Sequence, residues 1–485
     1  MSDAREPEQS DLLATRRAKL ERLRAEGIDP FPHAFAGVVP IAAVQLAHAE
    51  LADGEDTDDA YRLAGRLSAR RGQGKMAFLD LVDRTGRLQL QAKLDVLGPE
   101  RMERLLALDL GDLIGVDGTA FRSRRGELSL RVDDFTVLAK SLRPPPDKFH
   151  GLADIETRLR HRELDLMANE ETRAVFIARA RITSAVRRYL DGQGFLEVET
   201  PVLQPLYGGA LARPFVTHLN ALDQRMYLRI ATELYLKRCI VGGLERVYEL
   251  GKDFRNEGLS PKHNPEFTMV EWYEAYADYN DEMRRLEECV AAVADAVGYD
   301  GELELRAPWR RVTMRDAVRQ ETGIDISELR DRDALAAAIG DRLPTEGLTW
   351  PQLVDDLVSK AVEPTLIQPT FIIDYPKELS PFAKDHRSEP GLVERFEAFV
   401  NGMEIANAFT ELNDPDEQRA RFEAQARYAA QGDEDAQPFD EAFLQALEHG
   451  MPPTGGLGLG IDRLTMVLTG RSTIREVVLF PALRD

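Results

Sequence analysis

Cysteine is nearly absent from this chain of 485 residues, in which Cys239 and Cys289 are the only two. Two cysteines can build neither a disulfide framework nor a zinc cluster of cysteine ligands. No stretch approaches the roughly 18 uninterrupted apolar residues of a membrane helix, and the start, MSDAREPEQSDLL, is charged where a signal peptide has an apolar segment. We therefore expect a cytoplasmic protein with no membrane partner.

The sequence also lacks the GxxxxGK[ST] loop, so any bound phosphate must be held in another way. Acidic residues outnumber basic ones by 84 to 62, which gives a net charge of −22. Residues 1–150 are nearly neutral, with 23 Lys and Arg against 25 Asp and Glu, so most of the negative charge lies beyond them. Basic residues cluster at 66–75 and 122–125, which is compatible with a local nucleic-acid-binding face in this first part.

A period of two begins at Tyr61 and gives five short segments of strand character, with one helical segment between the third and fourth. This is the order of the five-stranded OB-fold barrel, a common oligonucleotide platform, although a small barrel that binds no nucleic acid would show the same pattern. We assign 1–60 to a helical N-terminal extension, 61–143 to the barrel and 144–154, which starts with three prolines, to a linker.

Residues 155–485 mix long helices with strands, and the sequence predicts a helix from Thr172 to Asp191 followed by strand character in 194–203. Residues from about 310 to 365 are helical and polar, carry no motif, and are interpreted as an insertion. Near the end, GGLGLGID at 455–462 places alternate glycines before a helix. It is a weak dinucleotide fingerprint because no βαβ unit follows, but glycines let a backbone approach a ligand closely.

The segment FRNEGLSPKHNPEF at 254–267 contains more side chains that could bind phosphate, a base or a metal ion than any segment before it. Arg255 and Lys262 can pair with phosphate oxygens, and Phe267 can stack on a purine. Glu257 and Asn264 can bond a base or hold a metal ion. An exposed hairpin with no binding role would have the same composition, so this segment alone decides nothing.

The order of several segments resembles a family, the class II aminoacyl-tRNA synthetases, and closely the class II lysyl-tRNA synthetases. GFLEVETPVL at 194–203 resembles motif 1, FRNEG with HNPEF resembles motif 2, and GLGLGIDRL, which contains Arg463, resembles motif 3. Four segments between these motifs also resemble the lysyl-tRNA synthetases: GGALARPF, LRIATELYLKR, EFTMVEWYEAYADY and EIANAFTELND. The resemblance implies an α+β protein, with an N-terminal OB-fold β-barrel and a class II catalytic domain whose central antiparallel sheet is flanked by helices.

The resemblance also implies an activity, the activation of lysine with ATP and its transfer to tRNA(Lys). Arg255 and Arg463 would be catalytic, Arg255 by holding the lysine carboxylate and the α-phosphate in line. Phe267 and Arg463 would sandwich adenine, and Lys262 and His263 would neutralise the outer phosphates. Glu397 and Glu404 would bind Mg²⁺ with ATP. The full set implied for ATP is Arg255, Glu257, Lys262, His263, Asn264, Phe267, Glu397 and Arg463.

Acidic residues would select the substrate, because a buried ammonium group needs acceptors and opposite charge. Glu411 and Tyr273 match family residues that bind the side-chain ammonium, while Glu233 and the backbone of 208–210 would receive the α-amino group. The full set implied for lysine is Gly208, Glu233, Arg255, Glu271, Tyr273, Asn407, Phe409 and Glu411. In the barrel, Phe78, Gln89 and Glu127 align with positions that read anticodon bases.

The chain departs from the family pattern at Thr232, where proline is usual, and at Ala406, Ala408 and Leu211, where smaller residues are usual. Added volume near the pocket predicts lower affinity for lysine. Two other functions stay open: transfer of lysine to an acceptor other than tRNA, and a non-catalytic protein that retains the fold. Motif 1 forms much of the family's subunit interface, so a homodimer is expected.

Overall fold

A computed structural model of the chain describes residues 5–72, 74–146, 152–210, 212–430 and 438–484. The chain forms two compact units, Met1–Ala153 and Asp154–Asp485. This boundary falls within the predicted linker 144–154, of which residues 147–151 lie outside the described residues. In the described ranges, no helix is both long enough and apolar enough to cross a membrane.

The first unit is a closed barrel preceded by helices. Its elements are α1 (Arg5–Ala25), α2 (Ile41–Ala47), β1 (Asp56–Arg71), β2 (Met76–Val82), β3 (Arg87–Lys93), α3 (Leu94–Ala107), β4 (Leu113–Arg122) and β5 (Leu128–Ala139). The strands close in the order β1-β2-β3-β5-β4, which confirms the predicted OB-fold. Strand β1 begins before Tyr61, the predicted start, because Asp56 pairs with Phe121 and its carboxylate accepts a hydrogen bond of 2.7 Å from Arg131.

Alternation along each strand fills the interior of the barrel. On β3, Leu88, Leu90 and Ala92 are buried, whereas Gln89 and Gln91 are only partly buried. The buried residues join those of the other strands in one hydrophobic cluster. Because successive side chains of a strand point to opposite faces, the polar residues of β3 lie on the outer surface of the barrel.

A buried charge cluster at the end of the barrel holds helix α1. The Lys140 ammonium is almost completely buried and lies 2.7 Å from Asp109 and 2.8 Å from Asp112. From α1, Lys19 forms a second ion pair with Asp109 at 2.6 Å. Arg16, also on α1, donates hydrogen bonds to the carbonyls of Leu110, Ser141 and Arg143. The predicted N-terminal extension is therefore part of the same compact unit as the barrel.

The second unit contains a large sheet flanked by helices. Its first elements are α4 (Ile155–Arg160), α5 (Arg162–Ala168), α6 (Glu170–Gly192), β6 (Leu196–Glu197), β7 (Leu203–Gln204), β8 (Val216–Leu219), β9 (Gln224–Leu228), α7 (Glu233–Val241), β10 (Arg246–Phe254), β11 (Glu266–Ala275) and α8 (Tyr279–Val297). There follow β12 (Arg310–Thr313), α9 (Met314–Thr322), α10 (Arg332–Ile339), α11 (Trp350–Leu357), β13 (Thr370–Pro376), β14 (Leu392–Phe399), β15 (Glu404–Thr410), α12 (Pro415–Ala430), α13 (Glu441–Glu448), β16 (Thr454–Gly460), α14 (Ile461–Thr469) and α15 (Ile474–Val477).

The large sheet has the order β12-β13-β14-β15-β16-β11-β10-β6. Its inner neighbours are antiparallel, as predicted, while β12 and β6 join at the two edges as parallel strands. A smaller sheet has the order β7-β9-β8. Trp272 of β11 packs in the hydrophobic core with residues of α6, α8 and α14, so its neighbours Glu271 and Tyr273 face the other side of the sheet.

The predicted insertion at 310–365 is partly integrated in this sheet. Its first residues form β12, which pairs in register with β13. Helices α9 to α11 then form a second hydrophobic cluster that includes Ile372 of β13 and Val393 of β14. The polar appearance of this region reflects its exposed helix faces, while its apolar faces cover one end of the sheet.

Breaking the barrel's charge cluster tests its contribution. We expect Lys140→Met to lower the free energy of unfolding of the barrel by about 3 kcal/mol, because Asp109 and Asp112 lose a buried partner. Lys19→Met, at a lysine whose side chain is 37% exposed, should cost less than about 1 kcal/mol. Hydrogen exchange of β4 and β5 peptides at increasing urea measures both. Equal losses of unfolding free energy in the two variants would show that burial of the ion pair does not determine its contribution to stability.

Candidate active site

A cavity of about 710 Å³ lies in the second unit, on the face of the sheet opposite Trp272. Strands β11, β14, β15 and β16, the loop between β10 and β11, and the start of α7 all contribute to its wall. The residues predicted from the sequence that line it are Glu233, Arg255, Glu257, Lys262, His263, Asn264, Phe267, Glu271, Tyr273, Glu397, Glu404, Asn407, Phe409, Glu411 and Arg463. Gly208 does not line the cavity, although the adjacent Gly209 and Ala210 do.

The glycines of β16 form the floor of the cavity. Gly458 lies between Glu271 of β11 and Asn407 of β15, and Gly456 lies between Tyr273 and Phe409. A Cβ atom on Gly456 would lie 2.1 Å from Glu411 Oε1 and 2.4 Å from Tyr273 Cε1. The glycine run thus leaves room for side chains from both neighbouring strands, a role that the sequence pattern did not reveal.

One end of the cavity is acidic. Glu233, Glu271 and Glu411 are each at most 6% exposed, and Tyr273 is 3% exposed. The Tyr273 hydroxyl donates to Glu271 at 3.4 Å, and the backbone N–H of Thr232 donates to the same carboxylate at 3.3 Å. Three carboxylates in so little solvent repel one another, so this end of the cavity is suited to cations.

A lysine that the sequence analysis missed lies behind this acidic end. The ammonium of Lys237, on α7, is fully buried and lies 2.6 Å from Glu233 Oε1 and 2.5 Å from Glu411 Oε2. Lys237 follows Glu233 by one helical turn, and such a Glu–Lys pair usually lies on an exposed helix face. Nothing in that spacing indicates that Glu411 would be the second partner.

Burial dominates the titration of the acidic residues. It raises the pKa of Glu411 to about 8, although Lys237 opposes this, and it raises the pKa of Glu271 to about 8, with Asp253 and Glu233 adding to the effect. The pKa of Glu233 is raised for the same reason. For Lys237, burial acts to lower the pKa, but Glu233 and Glu411 outweigh it and raise the value.

The other end of the cavity carries cations and an aromatic ring. The Arg255 guanidinium lies over the Phe267 ring, 5.1 Å from its centroid. Arg463, in the first turn of α14, pairs with Glu404 at 2.9 Å and contacts His263 Nε2 at 3.1 Å. Burial and the neighbouring Arg463 lower the pKa of His263. Lys262 is engaged by Glu363 at 2.6 Å and by the carbonyl of Gly402 at 2.7 Å.

Glu397 and Glu404 lie on the adjacent strands β14 and β15 and both line the cavity. Burial raises the pKa of Glu397 to about 7, while Arg395, which was not predicted, forms an ion pair with it at 2.5 Å. In the described ranges, no group of three or more His, Cys, Asp or Glu side chains is arranged to hold a metal ion. Two carboxylates fit Mg²⁺ as a partial ligand set that phosphate oxygens and water would complete.

The four departures from the family pattern have different surroundings. Ala406 borders the cavity. Ala408 is fully buried in the hydrophobic core, to which Ala406 also belongs, and it is not part of the cavity wall. The effect of either alanine on lysine affinity stays a prediction. Thr232 immediately precedes α7, and its buried hydroxyl has no hydrogen-bond partner among the described residues. Leu211 lies outside the described residues.

The predicted anticodon residues lie on one side of the barrel. Phe78 is on β2 and Gln89 is on the adjacent β3, while Glu127 is exposed just before β5. The side-chain amide of Gln89 donates to Ser129 Oγ at 2.9 Å, and Ser129 Oγ donates to the Glu127 carbonyl at 3.2 Å. Arg71, which was not predicted, donates to Gln89 at 3.3 Å. These contacts bring Gln89 and Glu127 close together and add a cation.

Comparisons with known proteins agree with this architecture. The sequence model of the tRNA synthetases class II (D, K and N) matches residues 154–484, and that of the OB-fold nucleic acid binding domain matches residues 61–138. The chain is 53% identical to the lysine–tRNA ligase of Moorella thermoacetica, with 98% of each chain covered, and 53% identical to that of Chloroflexus aurantiacus, with 99% of each covered. It is 50% identical to the lysine–tRNA ligase of a Synechococcus species, over 98% of this chain and 99% of the relative. The chain belongs to the class II tRNA synthetases and, within them, to the lysine–tRNA ligase family.

A substitution in the cavity floor tests the role of the glycine strand. We expect Gly456→Ala to lower the free energy of unfolding by about 1 to 3 kcal/mol, because the buried Glu411 and Tyr273 must shift. Gly460→Ala is the matched control, since the nearest atom to its Cβ would be 3.6 Å away. Urea titration followed by tryptophan fluorescence measures both. A Gly456→Ala protein as stable as the control would show that the floor is not sterically constrained.

Proposed function

We propose that the chain is an ATP-dependent ligase that activates L-lysine as lysyl-adenylate and transfers the lysyl group to the 3′ end of tRNA(Lys). The observation that carries the proposal is that the two ends of the cavity carry opposite charges. Buried carboxylates from Glu233, Glu271 and Glu411 line one end, and Arg255, His263 and Arg463 line the other. A dicationic amino acid and a polyanionic nucleotide complement these two ends.

The first half-reaction joins the two substrates. An oxygen of the lysine carboxylate attacks the α-phosphorus of ATP, the bond from that phosphorus to the β-phosphate oxygen breaks, and pyrophosphate leaves with the electron pair. Arg255 lines the cavity with its guanidinium over the Phe267 ring, and there it would hold the carboxylate and the α-phosphate together. Holding both reactants in line removes much of the entropic barrier to their reaction.

Residues at the other end would bind the remainder of ATP. Phe267 and Arg463 offer an aromatic and a guanidinium face for adenine, and His263 and Lys262 offer cations or donors for the outer phosphates. Lys262 would have to exchange Glu363 for phosphate when ATP binds. Glu397 and Glu404 would hold Mg²⁺, which neutralises negative charge on the phosphates.

The second half-reaction needs the tRNA. A ribose hydroxyl at its 3′ end attacks the lysyl carbonyl carbon, the bond from that carbon to the AMP oxygen breaks, AMP leaves, and the hydroxyl proton is released to solvent. Phe78, Gln89 and Glu127 would read anticodon bases, because single-stranded bases suit an aromatic platform with polar groups beside it. Asp80 of β2 pairs with Gln89 of β3, and Phe78 lies two residues before Asp80 on the same face of β2. The half-buried ring of Phe78 is therefore near Gln89, which supports this assignment.

Homodimerisation through motif 1 is part of the proposal. Five large apolar residues on α6, on β6 to β8 and just before β7 are 41–53% exposed: Ile177, Leu196, Val202, Leu203 and Val216. If these side chains form one contiguous patch, such a patch is typical of an interface with a second subunit.

The direct test is amino-acid-dependent exchange of pyrophosphate into ATP across the standard amino acids, followed by transfer of labelled lysine to total tRNA. We expect exchange with lysine and acid-precipitable lysyl-tRNA. Exchange without tRNA charging would favour another acceptor for lysine. No exchange with any amino acid would favour the non-catalytic alternative.

Removing the bridging guanidinium tests the assignment of Arg255. We expect Arg255→Ala to reduce lysine-dependent exchange at least about 1,000-fold, since it removes both orientation and charge stabilisation. Arg311→Ala is the matched control, because Arg311 also lies over a phenylalanine ring, Phe371, but not in the cavity. Exchange close to the wild-type rate in a folded Arg255→Ala protein would remove Arg255 from the mechanism.

The raised pKa values of Glu271 and Glu411, both about 8, predict a pH dependence. Below pH 8 the free cavity holds protons on these carboxyls, whereas bound lysine requires them ionised, so binding releases protons. The KM for lysine should therefore fall by up to about tenfold per pH unit for each of the two protons released, and so by up to about 100-fold per pH unit from pH 6.5 towards 8. Exchange kinetics measure the KM, and calorimetry in two buffers measures the protons released. A KM for lysine that is constant over this range would contradict the prediction.

A further inference from the structure

Lys237 is a charged group at the acidic end that the proposed reaction does not use. Its side chain is fully buried, and its ammonium joins Glu233, which would meet the α-ammonium of lysine, to Glu411, which would meet the side-chain ammonium. It also lies over the Phe382 ring, 5.3 Å from the centroid. A buried lysine is costly unless it is paired, and here it is paired twice.

The contacts of Lys237 leave one oxygen of each carboxylate for another partner. Lys237 contacts Oε1 of Glu233 and Oε2 of Glu411. Both oxygens of Glu411 are buried and accept no hydrogen bond from the described residues, but Oε2 forms the ion pair with Lys237, which leaves Oε1 without a partner. It lies above Gly456, where a side chain would have displaced it. A buried carboxylate oxygen without a donor in a cavity wall is suited to a cationic ligand.

Lys237 approaches from behind the carboxylates. Glu233 and Glu411 line the cavity, whereas Lys237 does not. Its ammonium therefore does not occupy the space that a ligand ammonium would take. It can instead fix the position of both carboxylates while the cavity remains open.

The charges at this end also favour a ligand with two cations. The charged groups that face Lys237 are Glu233 from its own helix and Glu411 from the segment after β15, and β11 adds Glu271 and the neutral Tyr273. With the carboxyls ionised, these three negative charges face one positive charge, while Asp253, which acts on Glu271 from β10, is paired with Arg229 at 3.1 Å. Two further positive charges neutralise the group, and a diamino acid supplies two ammonium groups.

We propose that Lys237 is a positioning residue for substrate selection: it bridges Glu233 and Glu411 so that each carboxylate presents one oxygen to one ammonium of a diamino acid. The inference rests on the proposed function and adds a residue that acts through others. Without the ammonium, the two carboxylates would repel each other or share a proton. Either change would weaken the binding of lysine while leaving the nucleotide end of the cavity intact.

The test compares Lys237→Met, which removes the charge, Lys237→Gln, which retains a hydrogen-bond donor without charge, and Lys237→Arg, which retains charge. Pyrophosphate exchange is measured at varied lysine and at varied ATP. We expect the KM for lysine to rise about 100-fold in both neutral variants, because a buried carboxylate loses its ion-pair partner. Lys237→Arg should raise it less, and the KM for ATP should stay within about threefold in all three, since none of the cations at the nucleotide end of the cavity changes.

Lys140→Met is the matched control, because Lys140 is also a buried lysine between two carboxylates but belongs to the barrel. It should leave the KM for lysine unchanged, which separates a local effect from a general loss of stability. Folding is verified by ATP binding in calorimetry. If Lys237→Met does not fold, Lys237→Gln, whose amide can donate to both carboxylates, carries the test together with Lys237→Arg.

The pH dependence of lysine binding distinguishes positioning of the carboxylates from a purely structural role, which would leave this dependence unchanged. In the neutral variants, the pH at which lysine binding is half-maximal should rise by at least about one unit, whereas in Lys237→Arg it should stay near the wild-type value. A neutral variant with unchanged pH profile and unchanged KM for lysine would overturn the inference. Tighter lysine binding in Lys237→Met would overturn it too, by showing that Lys237 competes with the substrate. Absence of lysine-dependent exchange in the wild-type protein would instead refute the proposed function itself.

Discussion

The burial of like charges is the constraint on which the site depends. Glu233, Glu271 and Glu411 lie in so little solvent that their mutual repulsion has to be offset by cations. Lys237 supplies one cation within the protein, and the proposed substrate supplies two more. The same arrangement accounts for selectivity, since a neutral amino acid would leave buried carboxylates without partners, and that loss is larger than the loss of a methylene contact.

The sheet makes this arrangement sterically feasible. Glu271 and Tyr273 on β11 and Asn407 and Phe409 on β15 approach each other over β16, which has glycine at the two intervening positions. The same strand continues directly into α14 and so presents Arg463 to the nucleotide end. One strand without side chains on its cavity face thus connects the acidic end to the ATP-binding end, while its buried leucines hold it on the core.

Sequence reasoning predicted the residues that carry chemistry but not the contacts between them. Arg255, Phe267 and Glu411 stand in recognisable segments, and the structure brings them to one cavity. Lys237 was missed because a Glu–Lys pair one turn apart is typical of an exposed helix face, and its second partner is distant in sequence. Ala408 was placed near the pocket although Asn407 and Phe409 were assigned to it, and alternation along β15 puts a residue between these two on the core face. The early start of β1 was missed because the mostly acidic segment 56–59 resembles a loop, whereas Asp56 and Ala60 pair with residues of β4.

The central claim is that buried negative charge, rather than pocket volume, selects the amino acid. Calorimetric dissociation constants for lysine, ornithine and norleucine test it most directly, because norleucine has nearly the length of lysine but no side-chain ammonium, and ornithine has the ammonium on a shorter chain. We predict that norleucine binds at least about 10,000-fold more weakly than lysine, with ornithine between them. Norleucine within about tenfold of lysine, or weaker binding of ornithine than of norleucine, would contradict the claim.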